Sequence, residues 1–471
     1  MSILIKNPRL TCRMKRDWKD GSDLLDAFSG GHIYIEGNQI VSAGPEPFAG
    51  HANTVIDASR MVVLPGLVNT HHHFFQTLTR NVVATQNSEL FDWLITHYEI
   101  WRGISGEAFY VSAKTALAEL LKSGCTTSSD HLYLFPRQAE DILIDREIEA
   151  ARELGIRFQP TRGSMSMSQK DGGLPPDDVT QTEQEILEDT LRLIKTYHDP
   201  SPGAMIRVAL APCSPFSVTR DLMQETAKIG REYNLQIHTH LAETTDEENF
   251  CMENFGQRPF DYMESLNWID SHAWFAHSIY LNEDEIRRGG KAGIGVAHCP
   301  SSNMRLSSGI AHIKEMLKAG INVGIGVDGS ASNDSSNMLM ELRQAMLLSR
   351  LREPEFRLTA GDVLWMGTVG GAKALGREDI GQILPGKCAD LIMVSMDRLE
   401  YAGAQHDPAA ALVFNVTMEP VDYSIVNGKI VVEKGAIKGF DEHSHIVRHQ
   451  NLSDQLVAKA QNILPDKKLT R

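Results

Sequence analysis

A few histidines and acidic residues in this sequence have the types and spacing to hold one divalent cation. Residues 69–73 read Asn69-Thr70-His71-His72-His73. Alternate side chains of a strand share a face, so His71 and His73 point together and His72 points away. Residues 238–243 read His238-Thr239-His240-Leu241-Ala242-Glu243, His277 follows, and Asp328-Gly329 comes last. His71, His73, His240 and Asp328 supply three imidazoles and a carboxylate. That donor set suits Zn²⁺ or Fe²⁺ and leaves a position open for water. His238 shares the face of His240 but belongs deeper, where a packed, hydrogen-bonded ring is expected. A single His-x-His pair is a weak signal; four separate segments that each end in ligand-type residues are a strong one.

Those residues need a scaffold that brings segment ends together. Eight short apolar segments fall at residues 66–70, 125–132, 157–161, 207–212, 235–241, 273–279, 293–299 and 322–328. Helical patterns separate them; in residues 107–121 Phe109, Ala113, Ala116, Leu117 and Leu120 share one face. Eight strands alternating with helices predict a (β/α)8 TIM barrel, whose active site lies at the C-terminal strand ends. Both chain ends read differently. Residues 31–43 alternate around Gly37-Asn38, and residues 389–394 and 423–432 form a second strand-rich patch with an Asn427-Gly428 turn. The two ends are expected to pair into a small β-sandwich, making an α/β protein. The expected division is 1–64 and 376–440 for the sandwich, 65–375 for the barrel, and 441–471 for a tail with a helix over 452–463. Residues 171–178 read as a loop beside the pocket.

Bulk properties narrow the partner. The chain has 471 residues, 42% hydrophobic and 23% charged, enough for a large core. Its formal net charge of −15 and lack of a basic cluster argue against nucleic acid. No apolar run reaches membrane-span length, and the first residues lack a signal-peptide pattern, so a cytoplasmic protein with a small-molecule partner is expected. The six cysteines form no Cys-x-x-Cys pair and are expected as reduced, packed thiols.

The strings Pro65-Gly66-Leu67-Val68-Asn69-Thr70-His71-His72-His73, His240-Leu241-Ala242-Glu243, Ala276-His277, His298-Cys299-Pro300-Ser301-Ser302-Asn303 and Val327-Asp328-Gly329 together resemble the amidohydrolase superfamily. The resemblance is to its branch of purine deaminases and triazine hydrolases. It extends to the return at residues 385–391. It implies His71, His73, His240 and Asp328 as ligands of one divalent ion per subunit, zinc before iron(II). The fourth strand carries no lysine of the kind that bridges two metals in relatives. It also implies a metal-activated water, Asp328 as proton acceptor, His277 as orienter of the nucleophile, and Glu243 as the general acid–base that protonates a ring nitrogen. Homo-oligomers are common in such relatives and are expected here.

Local strings at His71–Arg80, Thr161–Ser166, Asp171–Pro176, Ala211–Ser217 and Asn303–Ile310 look closest to the 8-oxoguanine deaminases. That implies conversion of 8-oxoguanine to urate and ammonia. Deamination of isoxanthopterin or guanine, or hydrolysis of a hydroxylated s-triazine, are the alternatives. Gln76 and Arg162 are expected to hydrogen-bond the ring, Cys213 to leave room for it, and Trp101 and Tyr133 to form walls. A non-catalytic scaffold is disfavoured, because every ligand is kept.

Overall fold

Alternating isoleucines set the architecture at the start of the chain. In β1 (Ser2–Lys6), β4 (His32–Glu36), β5 (Gln39–Gly44) and β6 (Thr54–Asp57), residues Ile3, Ile5, Ile33, Ile35, Ile40 and Ile56 all point inward. A computed structural model describes residues 1–139 and 142–471 of the chain. These four strands form a sheet in the order β5-β4-β1-β6. The hairpin β4–β5 turns at Gly37, where φ is +60°. The second sheet draws on both chain ends. It takes β2 (Leu10–Cys12), β3 (Ala27–Phe28) and β7 (Met61–Pro65) from the first, and β16 (Leu391–Ser395), β17 (Tyr423–Val426), β18 (Lys429–Glu433) and β19 (Ala436–Ile437) from the second. The ends join where β16 pairs antiparallel with β7. Val63, Leu391, Met393 and Ile425 close the core against the first sheet.

Between these ends runs the barrel. Its strands are β8 (Leu67–Asn69), β9 (Cys125–Leu132), β10 (Arg157–Ser164), β11 (Ala209–Pro212), β12 (Ile237–Leu241), β13 (Ala273–His277), β14 (Gly295–His298) and β15 (Asn322–Ile325). All are parallel, and the pairing of Ile325 with Asn69 closes the ring. Each apolar segment of the sequence yields one strand. Several strands are shorter than the segments: β8 and β15 stop before His71 and Asp328, and β11 and β12 begin two residues late. Asp328 follows the end of β15 and takes a left-handed φ of +62°. Helices begin at side-chain caps: Ser105 for Gly106–Lys122, and Thr182 with Glu185 for Glu183–Tyr197.

Barrel and sandwich are stapled by a buried ion pair. Arg157 donates from Nε and Nη2 to the two oxygens of Asp390, at 2.8 and 3.1 Å. The tail helix spans Glu442–Ile463, ten residues longer at its start than expected, because Asp441 caps it by accepting from the Ser444 amide. All six cysteines are buried free thiols. Among the described residues, no helix is long and apolar enough to cross a membrane.

Candidate active site

At the C-terminal mouth of the barrel the dispersed residues meet. His73 Nε2 lies 3.2 Å from His240 Nε2, and Asp328 Oδ1 lies 3.4 Å from His71 Nε2 and 3.3 Å from His73 Nε2. The other ring nitrogen of each histidine is already committed. His71 Nδ1 donates to His238 Nε2 at 2.8 Å, His73 Nδ1 to the His131 carbonyl at 2.8 Å, and His240 Nδ1 to the Cys213 carbonyl at 2.7 Å. His238 can accept because its own Nδ1 donates to the Trp274 carbonyl at 2.8 Å. These bonds fix the tautomers and aim three Nε2 lone pairs at one point.

Electrostatics suit a cation there. Burial drives His71 far below the usual imidazole range despite Asp328, lowers His73, and takes His240 to about 3. Burial also acts to raise Asp328, but His71, His277 and His73 outweigh it and hold the carboxylate well below its usual range. The result is neutral imidazoles around an ionised carboxylate. His71 Nε2 is fully buried and has no hydrogen-bond partner among the described residues. An orphaned lone pair among hard and borderline donors is what a divalent ion would satisfy, so His71, His73, His240 and Asp328 fit one.

Two further groups sit against this cluster. His277 Nε2 lies 3.6 Å from Glu243 Oε2 and 3.9 Å from Asp328 Oδ2. Its Nδ1 donates to Asn303 Oδ1 at 2.9 Å. Burial, opposed by His277 and reinforced by Asp328, lifts Glu243 to about 7. Burial acts to lower His277, but Glu243 and Asp328 overcome it and raise the ring. The backbone at Glu243 is held by Glu247, which accepts from the amides of Ala242 and Glu243, each at 2.9 Å. Ala242, His277, Ser278 and Asp328 all have φ between +51° and +67°. Such strained non-glycine residues gather where a fold over-determines side-chain placement.

Above the cluster lies a cavity. Gln76, Tyr133 and Cys213 line it, as the sequence led one to expect, together with Glu243, His277 and Asp328. Gln76 is pressed against Gly329, where a Cβ would fall 1.9 Å from its Oε1. Arg162 and Trp101 do not reach the cavity. Arg162 sits on the other parity of β10, pairs through Nε with Asp189 of the helix Glu183–Tyr197 at 2.6 Å, and lies over the Phe135 ring. Trp101 ends its helix one turn beyond the lining residues; it donates to Thr79 Oγ1 at 2.9 Å and packs edge-on against Phe75. Residues 171–178 also stay outside the lining. His72 faces away, with Nε2 2.9 Å from Ser336 Oγ.

Apart from Tyr133, sequence reasoning missed the walls, and it missed one histidine. Trp93, Leu94 and Tyr98 of the helix Leu90–Trp101, with Phe216, supply the apolar surface. His131, near the end of β9, stacks 4.8 Å from His240 and belongs to the same imidazole cluster. Its position at a strand end was the available signal.

The barrel and this constellation are matched elsewhere: residues 62–431 fit the amidohydrolase family. The chain belongs to that family. This amidohydrolase is 48% identical to 8-oxoguanine deaminase of Pseudomonas aeruginosa, over 92% of this chain and 96% of that one. It is 35% identical to an isoxanthopterin deaminase of an unknown prokaryotic organism, over 88% and 89% of the two chains. The crystal structure of atrazine chlorohydrolase TrzN from Arthrobacter aurescens TC1, complexed with zinc, superposes with a TM-score of 0.90 at 31% identity, covering 96% of this chain and 100% of that one. This amidohydrolase is a metal-dependent hydrolase.

Proposed function

We propose that this amidohydrolase deaminates an oxidised purine, with 8-oxoguanine and water giving urate and ammonia. The observation that carries the chemistry is the pairing of Glu243, lifted to about 7, with His277 beside a carboxylate-bearing imidazole cluster. A carboxyl poised near neutrality can both give and take a proton. The relative named above that acts on 8-oxoguanine supports the substrate.

His71, His73, His240 and Asp328 are assigned as ligands of one divalent ion, and zinc is the ion we assign. Such an ion supplies a nucleophilic water at neutral pH. Asp328, kept ionised by its imidazole neighbours, accepts the proton that water loses. His277, oriented by Asn303, holds the attacking oxygen by hydrogen bond. Glu243 donates a proton to the ring nitrogen beside the carbon that carries the amino group. The new C–O bond forms as that nitrogen takes up charge. Asp328 passes the proton it took to the amino group, the C–N bond breaks and ammonia leaves, and the proton of the added hydroxyl returns to Glu243 as the carbonyl forms. Gln76 offers an amide to ring carbonyl and nitrogen atoms, while Trp93, Tyr98 and Phe216 enclose the flat ring.

Ammonia release from 8-oxoguanine, guanine, isoxanthopterin and hydroxytriazines tests the reading, with metal analysis of the same preparation. Turnover of a triazine with 8-oxoguanine inert would overturn the substrate assignment.

A further inference from the structure

The cavity is narrow for its ligand as it stands. Its free space is about 40 Å³, room for about three waters and too little for a bicyclic ring. One wall must retreat to admit substrate and return to enclose it. The strand-end walls are fixed by the barrel's hydrogen bonds. The roof is different: Leu90, Trp93, Leu94 and Tyr98 all come from one helix, Leu90–Trp101.

That helix is held by the far end of the chain. Lys467 Nζ donates to Thr96 Oγ1, on the roof helix, at 2.6 Å. The amide of Val83, just ahead of the roof, donates to the Leu469 carbonyl at 3.2 Å. Gln461 folds residues 464–471 back, donating to the carbonyls of Leu464 and Lys467 and accepting from the Leu469 amide. The tail helix also grips the turn Phe74–Thr79, which carries Gln76. Ser453 Oγ donates to the Leu78 carbonyl at 2.6 Å, and His449 Nε2 lies 3.1 Å from Thr77 Oγ1.

The grip combines single hydrogen bonds with a narrow apolar seam of Leu456, Ala460 and Leu469. A groove of about 840 Å³ runs between the tail and residues 78–83, lined by Leu78, Arg80, Val83, Ser453, Val457 and Leu469 among others. Only Leu456 and Ala460 of the tail helix are buried. An element held by so narrow a seam opens at lower cost than the barrel core.

We propose that residues 442–471 are a strap that sets the closed position of the roof, making Ser453, Lys467 and Leu469 positioning residues for substrate binding. The proposal deepens the functional reading above and rests on it. The strap biases the roof toward the conformation that encloses the ring. Without it, closure costs binding energy, and apparent affinity falls in proportion to the closed fraction. Chemistry at Glu243 and His277 is untouched, because neither contacts the tail. A looser roof also accepts a wider ring.

The test uses the metal-loaded full chain, the double variant Ser453→Ala/Lys467→Met, and a variant ended after Ile463. Hydrogen exchange of the roof helix is read first, because it needs no substrate. Exchange there is expected to quicken about tenfold while the barrel strands hold. KM for 8-oxoguanine is expected to rise about tenfold with kcat kept within about twofold, and the ratio of isoxanthopterin to 8-oxoguanine turnover to rise. Unchanged roof exchange overturns the strap. So does a general quickening in which kcat falls and KM stays put, since that is loss of structure. Local quickening with unaltered KM overturns its role in binding. If the unaltered enzyme turns over none of these heterocycles, the functional reading fails on its own, and the exchange measurement still decides the strap. Should the shortened chain not fold, the double variant carries the test.

Discussion

His238 Nε2 accepts the Nδ1 proton of His71 across 2.8 Å, inside the barrel and out of reach of the cavity. The ring is itself anchored by the Trp274 carbonyl and stacks 4.3 Å from the Trp274 indole. His71 therefore carries its proton on Nδ1 and turns its Nε2 lone pair toward the ion proposed above. Replacing His238 with phenylalanine keeps the ring volume and removes the acceptor. Metal affinity is expected to drop about 10–100-fold, the usual cost of losing such an outer partner. Competition with a chelator measures it. Unchanged affinity would show that His71 needs no such anchor.

Glu243 and Asp328 are both carboxylates in one cavity, but their environments drive them apart. Glu243 is raised to about 7 by burial, while the imidazoles hold Asp328 ionised. Glu243→Gln keeps shape and removes the proton donor. kcat is expected to fall about 10²–10⁴-fold with metal content unchanged. Asp328→Asn is expected to lose both metal and activity. If Glu243→Gln also loses its metal, the carboxyl is a ligand and the division of labour proposed above is wrong.

The proposed metal cluster was legible because strand ends are legible. Apolar segments locate strands, and polar residues at or just past their ends, such as His240, His71 and Asp328, can only crowd the mouth of a closed barrel. The pocket walls were not. Trp93 and Tyr98 lie on a helix outside the eight-strand rhythm, and nothing in a 3.6-residue period says whether an apolar stripe faces core or ligand. Arg162 misled for a related reason. It lies near the end of a strand, but parity sends it to the helix side, and the carboxylate that claims it, Asp189, is far away in sequence. The sandwich followed from alternation alone, whereas the grip of residues 464–471 on the roof depends on single hydrogen bonds that no pattern encodes.

Asp130 and Glu147 form a buried carboxyl pair behind the His71–His73 segment. Asp130 Oδ1 accepts the Phe74 amide at 2.7 Å, one residue after His73. No donor among the described residues reaches Asp130 Oδ2 or either oxygen of Glu147. Burial, then the neighbouring Asp130, raises Glu147 well above its ordinary value of 4.5. A proton shared between the two acids satisfies the site. A raised folded-state value means stability is full below 4.5 and lost as pH climbs through that raised value. Glu147→Gln supplies a permanent donor to Asp130. The variant is expected to melt at higher temperature than the parent on the alkaline side, and to gain little in acid. Thermal midpoints across pH check it; parallel curves would mean the pair is not protonated in the folded state.

Arg162 and Gln76 separate structure from recognition. Arg162 has no polar atom in the cavity; its guanidinium serves Asp189, Gln181 and the Gly163 carbonyl, and its face lies 4.2 Å over Phe135. Asp189 keeps a second partner, Arg192, when Arg162 is removed. Arg162→Met preserves the stacked volume, and the orphaned acceptors are expected to cost about 1–3 kcal/mol. Denaturant unfolding reads that loss, while kcat/KM per folded, metal-loaded enzyme is expected to stay within about twofold. Gln76→Ala is expected to do the reverse, with stability nearly kept and kcat/KM for 8-oxoguanine down at least about tenfold, because a ring carbonyl loses its donor. A rise in KM for Arg162→Met as large as that for Gln76→Ala would place the guanidinium against substrate and require the strand to turn.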